Sequence, residues 1–65
     1  MDLISTEDGR AVVSLTAHEL VMLNNALNET LEAVDGPELS ARVGATGDQL
    51  EGLLGEVGSA LRTLG

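Results

Sequence analysis

The apolar residues of this chain follow two rhythms. The helical one is clearest between Thr16 and Pro37, where Leu20, Leu23, Leu27, Leu31 and Val34 recur at intervals of three, four, four and three. At about 100° per residue that spacing gathers them on one stripe, and the stripe must be buried. Thr16 is a good N-cap, and Glu19 three residues on completes a capping box. Each side chain then satisfies a backbone N–H that the first helical turn leaves unpaired. Asp35-Gly36-Pro37 is expected to close the helix: Gly36 takes the left-handed conformation of a C-terminal cap, and Pro37 lacks the N–H to continue the ladder. The central helix is therefore expected over residues 16–36.

Before it the rhythm shortens. Leu3-Ile4 and Ala11-Val12-Val13 flank Asp8-Gly9, and an Asp-Gly pair between β-branched runs signals a type I′ turn, which needs positive φ at both central residues. The expected strands are residues 2–6 and 10–15. Such a hairpin is marginal alone, so it should lie on the helices or extend a sheet from a second chain. Beyond the central helix, Pro37–Val43 predicts a two-turn helix with Pro at an early position. Gly44-Ala45 forms the turn, and Thr46 with Gln49 repeats the capping-box pattern. A third helix to about Thr63 carries Leu50, Leu53, Leu54, Val57, Leu61 and Leu64 on one side. The fold class is α+β, predominantly helical: one domain over 1–65, with an N-terminal β-hairpin and a three-helix unit (long, short, long). Its expected core is Leu15, Leu20, Leu23, Leu27, Leu31, Val34, Leu39, Val43, Leu50, Leu53, Leu54, Val57 and Leu61.

Some positions do not fit a simple amphipathic scheme. Gly52, Gly55 and Ser59 fall together on the third helix, away from the leucine stripe. Each interior Gly costs roughly 0.8–1 kcal/mol relative to Ala, so this side is either a surface approached by another backbone or a solvated face. On the central helix Met22, Ala26 and Ala33 form a second apolar side that reads as a contact surface. Asn24 and Asn28 border the buried stripe, where an Asn can bond a neighbouring backbone or set the register of a helix pair.

Composition sharpens the picture. With 65 residues the chain buries only about 60% of its unfolded surface, and it has no Cys, one His and no aromatic residue. Disulfides and thiolate zinc sites are excluded, and oligomerisation, expected as a homodimer, is the remaining means of stabilisation. The core must come from 12 Leu, six Val, one Ile, seven Ala and two Met. The absence of Lys beside abundant Ala, Gly, Leu and Val reads as the codon bias of a GC-rich bacterial genome. No apolar run approaches the ~20 residues of a membrane span, and residues 1–10 lack a signal-peptide pattern, so a cytoplasmic protein without membrane contact is expected.

The formal charge is −8, from 11 carboxylates against three Arg. Seven of the acids and one Arg lie in residues 1–35. Such a field repels phosphate backbones and speeds encounter with basic proteins. Glu29 and Glu32 stand on the polar side of the central helix, either as a solvated face or as part of that attraction. No catalytic constellation is legible. His18 sits in the first helical turn with no second His or Cys, and Ser14 or Ser59 has no orienting acid or oxyanion hole to go with it. No metal, no cofactor and no enzymatic activity are expected.

Residues 39–54, LSARVGATGDQLEGLL, resemble a helix-turn-helix, with Val43, turn Gly44, N-cap Thr46 and apolar Leu50 and Leu53 in the usual places. The resemblance implies a regulator reading bases through Gly47, Asp48, Gln49, Glu51 and Gly52. Two carboxylates and two glycines cannot supply the donors that base edges require, so no nucleic acid is expected. The segment LTAHELVMLNNALNE is similar to small uncharacterised bacterial proteins, some of which look like immunity proteins that neutralise toxins. The functional expectation is a small acidic non-enzymatic protein-interaction module recognising a protein partner. An immunity- or antitoxin-like inhibitor of a basic protein and a helix-turn-helix regulator are the alternatives. Its candidate interaction residues are Met22, Ala26, Glu29, Glu32, Ala33, Gly52, Gly55 and Ser59.

Overall fold

A computed structural model describes residues 1–64. Two antiparallel strands, β1 (Asp2–Glu7) and β2 (Arg10–Ser14), precede α1 (Ala17–Ala33), α2 (Gly36–Val43) and α3 (Gly47–Leu64). The hairpin turns through Asp8 and Gly9 with φ of 46° and 74°, the positive pair that a type I′ turn requires. Leu3 pairs with Val13 and Ser5 with Val12, which leaves Ile4 as the extra residue of a bulge.

Both capping boxes form. The Glu19 N–H donates to Thr16 Oγ1 at 3.1 Å while the Thr16 N–H donates to the Glu19 carboxylate at 2.9 Å. At α3 the Gln49 N–H donates to Thr46 Oγ1 and the Thr46 N–H to Gln49 Oε1, at 3.2 and 2.9 Å. α2 ends at Gly44, whose φ of 78° is the left-handed cap that glycine adopts without strain.

The end of α1 corrects the sequence reading. The helix stops at Ala33, with Val34 extended at φ −122° as its C-cap, and Gly36 is the first residue of α2. Pro37 has its φ pre-set for a first helical turn, so α2 begins around it and Asp35 is drawn into the extended N-cap conformation. Only Val34 and Asp35 remain between the helices, and neither is free for a left-handed cap.

α1 packs along α3, and α2 touches α3; the hairpin has no comparable contact with any helix. A Cβ on Gly58 would stand 3.9 Å from Asn24 Oδ1, so the two helices cross at that point. From the crossing, Val34 and Gly47 lie ten and eleven residues away, about 15–16 Å at 1.5 Å per residue. The short connection through α2 requires them at the same end, which makes α1 and α3 antiparallel.

The buried core is Leu20, Leu39 and Leu50, with Leu39 only 2% exposed. Leu15, Leu27, Leu31, Val34, Leu54, Val57 and Leu61 are half-buried. Leu23, Val43 and Leu53, expected in the core, are instead 42%, 45% and 47% exposed. Leu23 and Leu53 are the flanking residues of their stripes, and two helices meeting along a line cover stripe centres before edges. Val43 is the last residue of the two-turn α2, whose buried residue is Leu39.

Candidate functional surface

On both long helices the apolar side chains extend past the buried stripe in one rotational sense. Setting Leu20 at 0° on α1, the steps of 100° place Leu23 near −60°, Ala26 near −120° and Met22 near −160°. Setting Leu50 at 0° on α3 places Leu53, Ala60 and Leu64 between about −40° and −80°. In an antiparallel pair, equal rotation from each facing stripe arrives on the same side of the layer. Asn24 and Gly58, both displaced in the positive sense, do meet. The negative side of the pair is therefore open and largely apolar, with exposed Glu56 near −120° at its rim on α3. α2 lies on the opposite side, since a Cβ on Gly47 would reach Leu39 Cδ2 at 3.9 Å.

The hairpin leaves the helices on the open side. Met1, Leu15, Glu19, Met22, Leu23 and Ala26 line a shallow groove of about 370 Å³ at its base. The two charges there are paired with each other: the Met1 amino group donates to one Glu19 carboxylate oxygen, and the Thr16 N–H donates to the other. These bonds, the amino group's first, hold the Glu19 pKa down to about 2 from 4.5. Further out the strands have no cover. Leu3 and Ile4 are 63% and 64% exposed, and Val12 and Val13 are exposed too. By the pairing and the two-residue alternation, Leu3, Thr6, Ala11 and Val13 share one face of the hairpin.

The groove brings together two of the expected contact residues, Met22 and Ala26. Ala33 is exposed on the same sector of α1 but about 10 Å farther along the axis, beyond the groove. Gly52, Gly55 and Ser59 are exposed on the outer side of α3, and a Cβ added at Gly52 or Gly55 would meet nothing within 4 Å. The Ser59 carbonyl accepts the Thr63 hydroxyl at 3.0 Å. Glu29 and Glu32 are exposed on the outer side of α1, and among the described residues neither is in a salt bridge. Sequence reasoning missed Leu3, Val13, Leu23, Leu53 and Leu64 as surface residues. The signal was available in the ratio of apolar side chains to chain length.

Arg42 donates to Glu38 at 2.9 Å on the exposed side of α2. His18 is exposed, and among the described residues no cluster of three His, Asp or Glu could hold a metal. None of the described helices is long and apolar enough to cross a membrane. No family model, curated protein or solved structure matches the chain.

Proposed function

We propose that this chain is a small acidic, non-enzymatic protein-interaction module, self-associating, that recognises a basic protein through the outer side of α1. The observation that carries this reading is the division of the surface. Carboxylates Glu29 and Glu32 stand exposed on the outer side of α1, outside any ion pair among the described residues, and an apolar groove whose carboxylate, Glu19, is bonded to the Met1 amino group lies at the hairpin base. In a chain at −8 the outer side steers basic partners, while the apolar side is suited to a permanent contact. An inhibitor of a basic protein, of the immunity or antitoxin kind, is the form of this reading that uses the acidic side most directly. A DNA-binding role for the α2–α3 pair is disfavoured, because Arg42 is turned onto Glu38 and the first turns of α3 present Asp48 and Glu51.

Affinity capture at low and high salt, with Glu29→Arg/Glu32→Arg as the paired variant, tests the proposal. A basic protein retained by the wild type, and lost both at high salt and with the variant, is the expected result. An acidic partner, or capture indifferent to salt and charge reversal, overturns it. No duplex DNA should be bound at about 50 mM salt, where electrostatic binding is strongest.

A further inference from the structure

We propose that the open apolar side of the molecule is the seat of a second copy of this chain, docked two-fold through the hairpin and the exposed edges of α1 and α3. The proposal deepens the interaction-module reading by locating the self-contact, and it is independent of the acidic outer side.

The first argument is area. The accessible surface is 4903 Å² for a 6.7 kDa chain. A compact monomer of that mass exposes about 3,900 Å² by the usual scaling, so this chain carries a surplus of about 1,000 Å². A standard interface covers about 800 Å² per partner, so one docked copy accounts for the surplus. The radius of gyration agrees: 13.1 Å, where a compact chain of this length has about 11 Å.

The second argument is charge. Residues 9–28 contain one base, Arg10, and one acid, Glu19, within a chain at −8. Glu19 is already bonded to the Met1 amino group. The apolar patch of Leu15, Met22, Leu23 and Ala26 therefore offers a basic partner no free carboxylate, while Asp2, Glu7, Asp8 and Glu56 stand around it, so a second copy seats its apolar side chains here and salt, by screening those charges, strengthens the contact.

The third is that the chain needs the cover. Three buried leucines and a hairpin with both faces open are a thin basis for a folded state, and a two-stranded hairpin is marginal alone. The occupant must be present whenever the chain is, and only another copy meets that condition without further assumption. Two-fold docking is self-complementary: Leu3 and Val13 of each copy reach the Met22, Leu23 and Leu53 surface of the other.

Sedimentation equilibrium of the full chain, with thermal melting at several concentrations, tests the proposal. The wild type is expected at twice 6.7 kDa at tens of micromolar, with a Tm that rises with concentration. Leu23→Glu should raise the dissociation constant about 100-fold or more by placing a charge in the interface. Val21→Glu, an exposed position on the other side of α1, should leave it within about threefold. Glu29→Arg/Glu32→Arg should not dissociate the dimer, so loss of basic-partner capture and loss of self-association are separable failures. A single-chain mass with a concentration-independent Tm overturns the proposal, and so does a dimer that Leu23→Glu leaves intact or that Val21→Glu disrupts equally. If Leu23→Glu does not fold, the concentration dependence of the wild-type Tm decides: a rise supports self-association, and a constant Tm refutes it.

Discussion

The hairpin and the helical unit are built from the same aliphatic residues, yet hold their shapes by different means. In the hairpin every residue from Asp2 to Ser14 is exposed, and its geometry rests on the Asp8-Gly9 turn and the strand pairing. In the helical unit Leu20, Leu39 and Leu50 are buried, and two capping boxes and the Gly44 cap set where the helices start and stop. Turn chemistry can specify a shape without burying anything, but burial is what makes a shape persist. One chain thus joins a part that is specified but uncovered to a part that is both specified and covered.

The largest expected effect lies in the covered part. Leu39→Ala removes the most buried side chain and should cost about 2–5 kcal/mol, enough to abolish cooperative thermal unfolding by circular dichroism. Leu3→Ala in the hairpin, made at concentrations low enough to keep the chain monomeric, should change stability by under about 0.5 kcal/mol. If the two proved equal, the contrast between the regions would be mistaken. Thr46→Ala removes the N-cap of α3 and should cost about 1 kcal/mol in a denaturant titration. Gly55→Ala should stabilise by about 0.4–1 kcal/mol, since the added methyl meets nothing and the helix gains propensity. A destabilised or dissociated Gly55→Ala protein would show instead that the outer side of α3 is a contact.

A further effect is sited where the two regions join. Glu19 has a folded pKa of about 2, below its ordinary 4.5, so its contribution is present above about 4.5 and is lost as the pH falls towards 2. An acid titration comparing wild type with Glu19→Gln should show the stability gap closing over that window. A gap that persists at pH 2 would mean the carboxylate is not what ties the hairpin base to α1.

Features governed by neighbouring residues were legible in the sequence. Thr16 and Glu19, Thr46 and Gln49, Asp8 and Gly9, and Gly44 each act within four residues, and each forms as its pattern predicts. Gly36 was misread because its fate depended on a competition: Pro37 could end one helix or start the next, and starting prevailed. Leu23, Val43 and Leu53 were misread because periodicity tells which side of a helix is apolar and not whether another element is there to cover it. The candidate surface was legible at Met22 and Ala26 for the same periodic reason. It was not legible at Leu3 and Val13, since a strand's alternation cannot show that nothing packs on it.

The two-residue turn also sets a clock. Asp8-Gly9 closes a loop between neighbouring strands, and hairpins of this kind form in about 1–10 μs. The Asn24–Gly58 crossing joins residues 34 positions apart and must wait for α2 and both flanking connections to be ordered, a larger entropic barrier. During synthesis the hairpin residues therefore emerge and begin to pair well before the surface beside them exists, and a hairpin that is marginal alone persists only once that surface is there. Each new chain carries two unpaired strand edges through that interval, and the charges at Asp2, Glu7 and Asp8 are what stand between those edges and premature pairing with a neighbour.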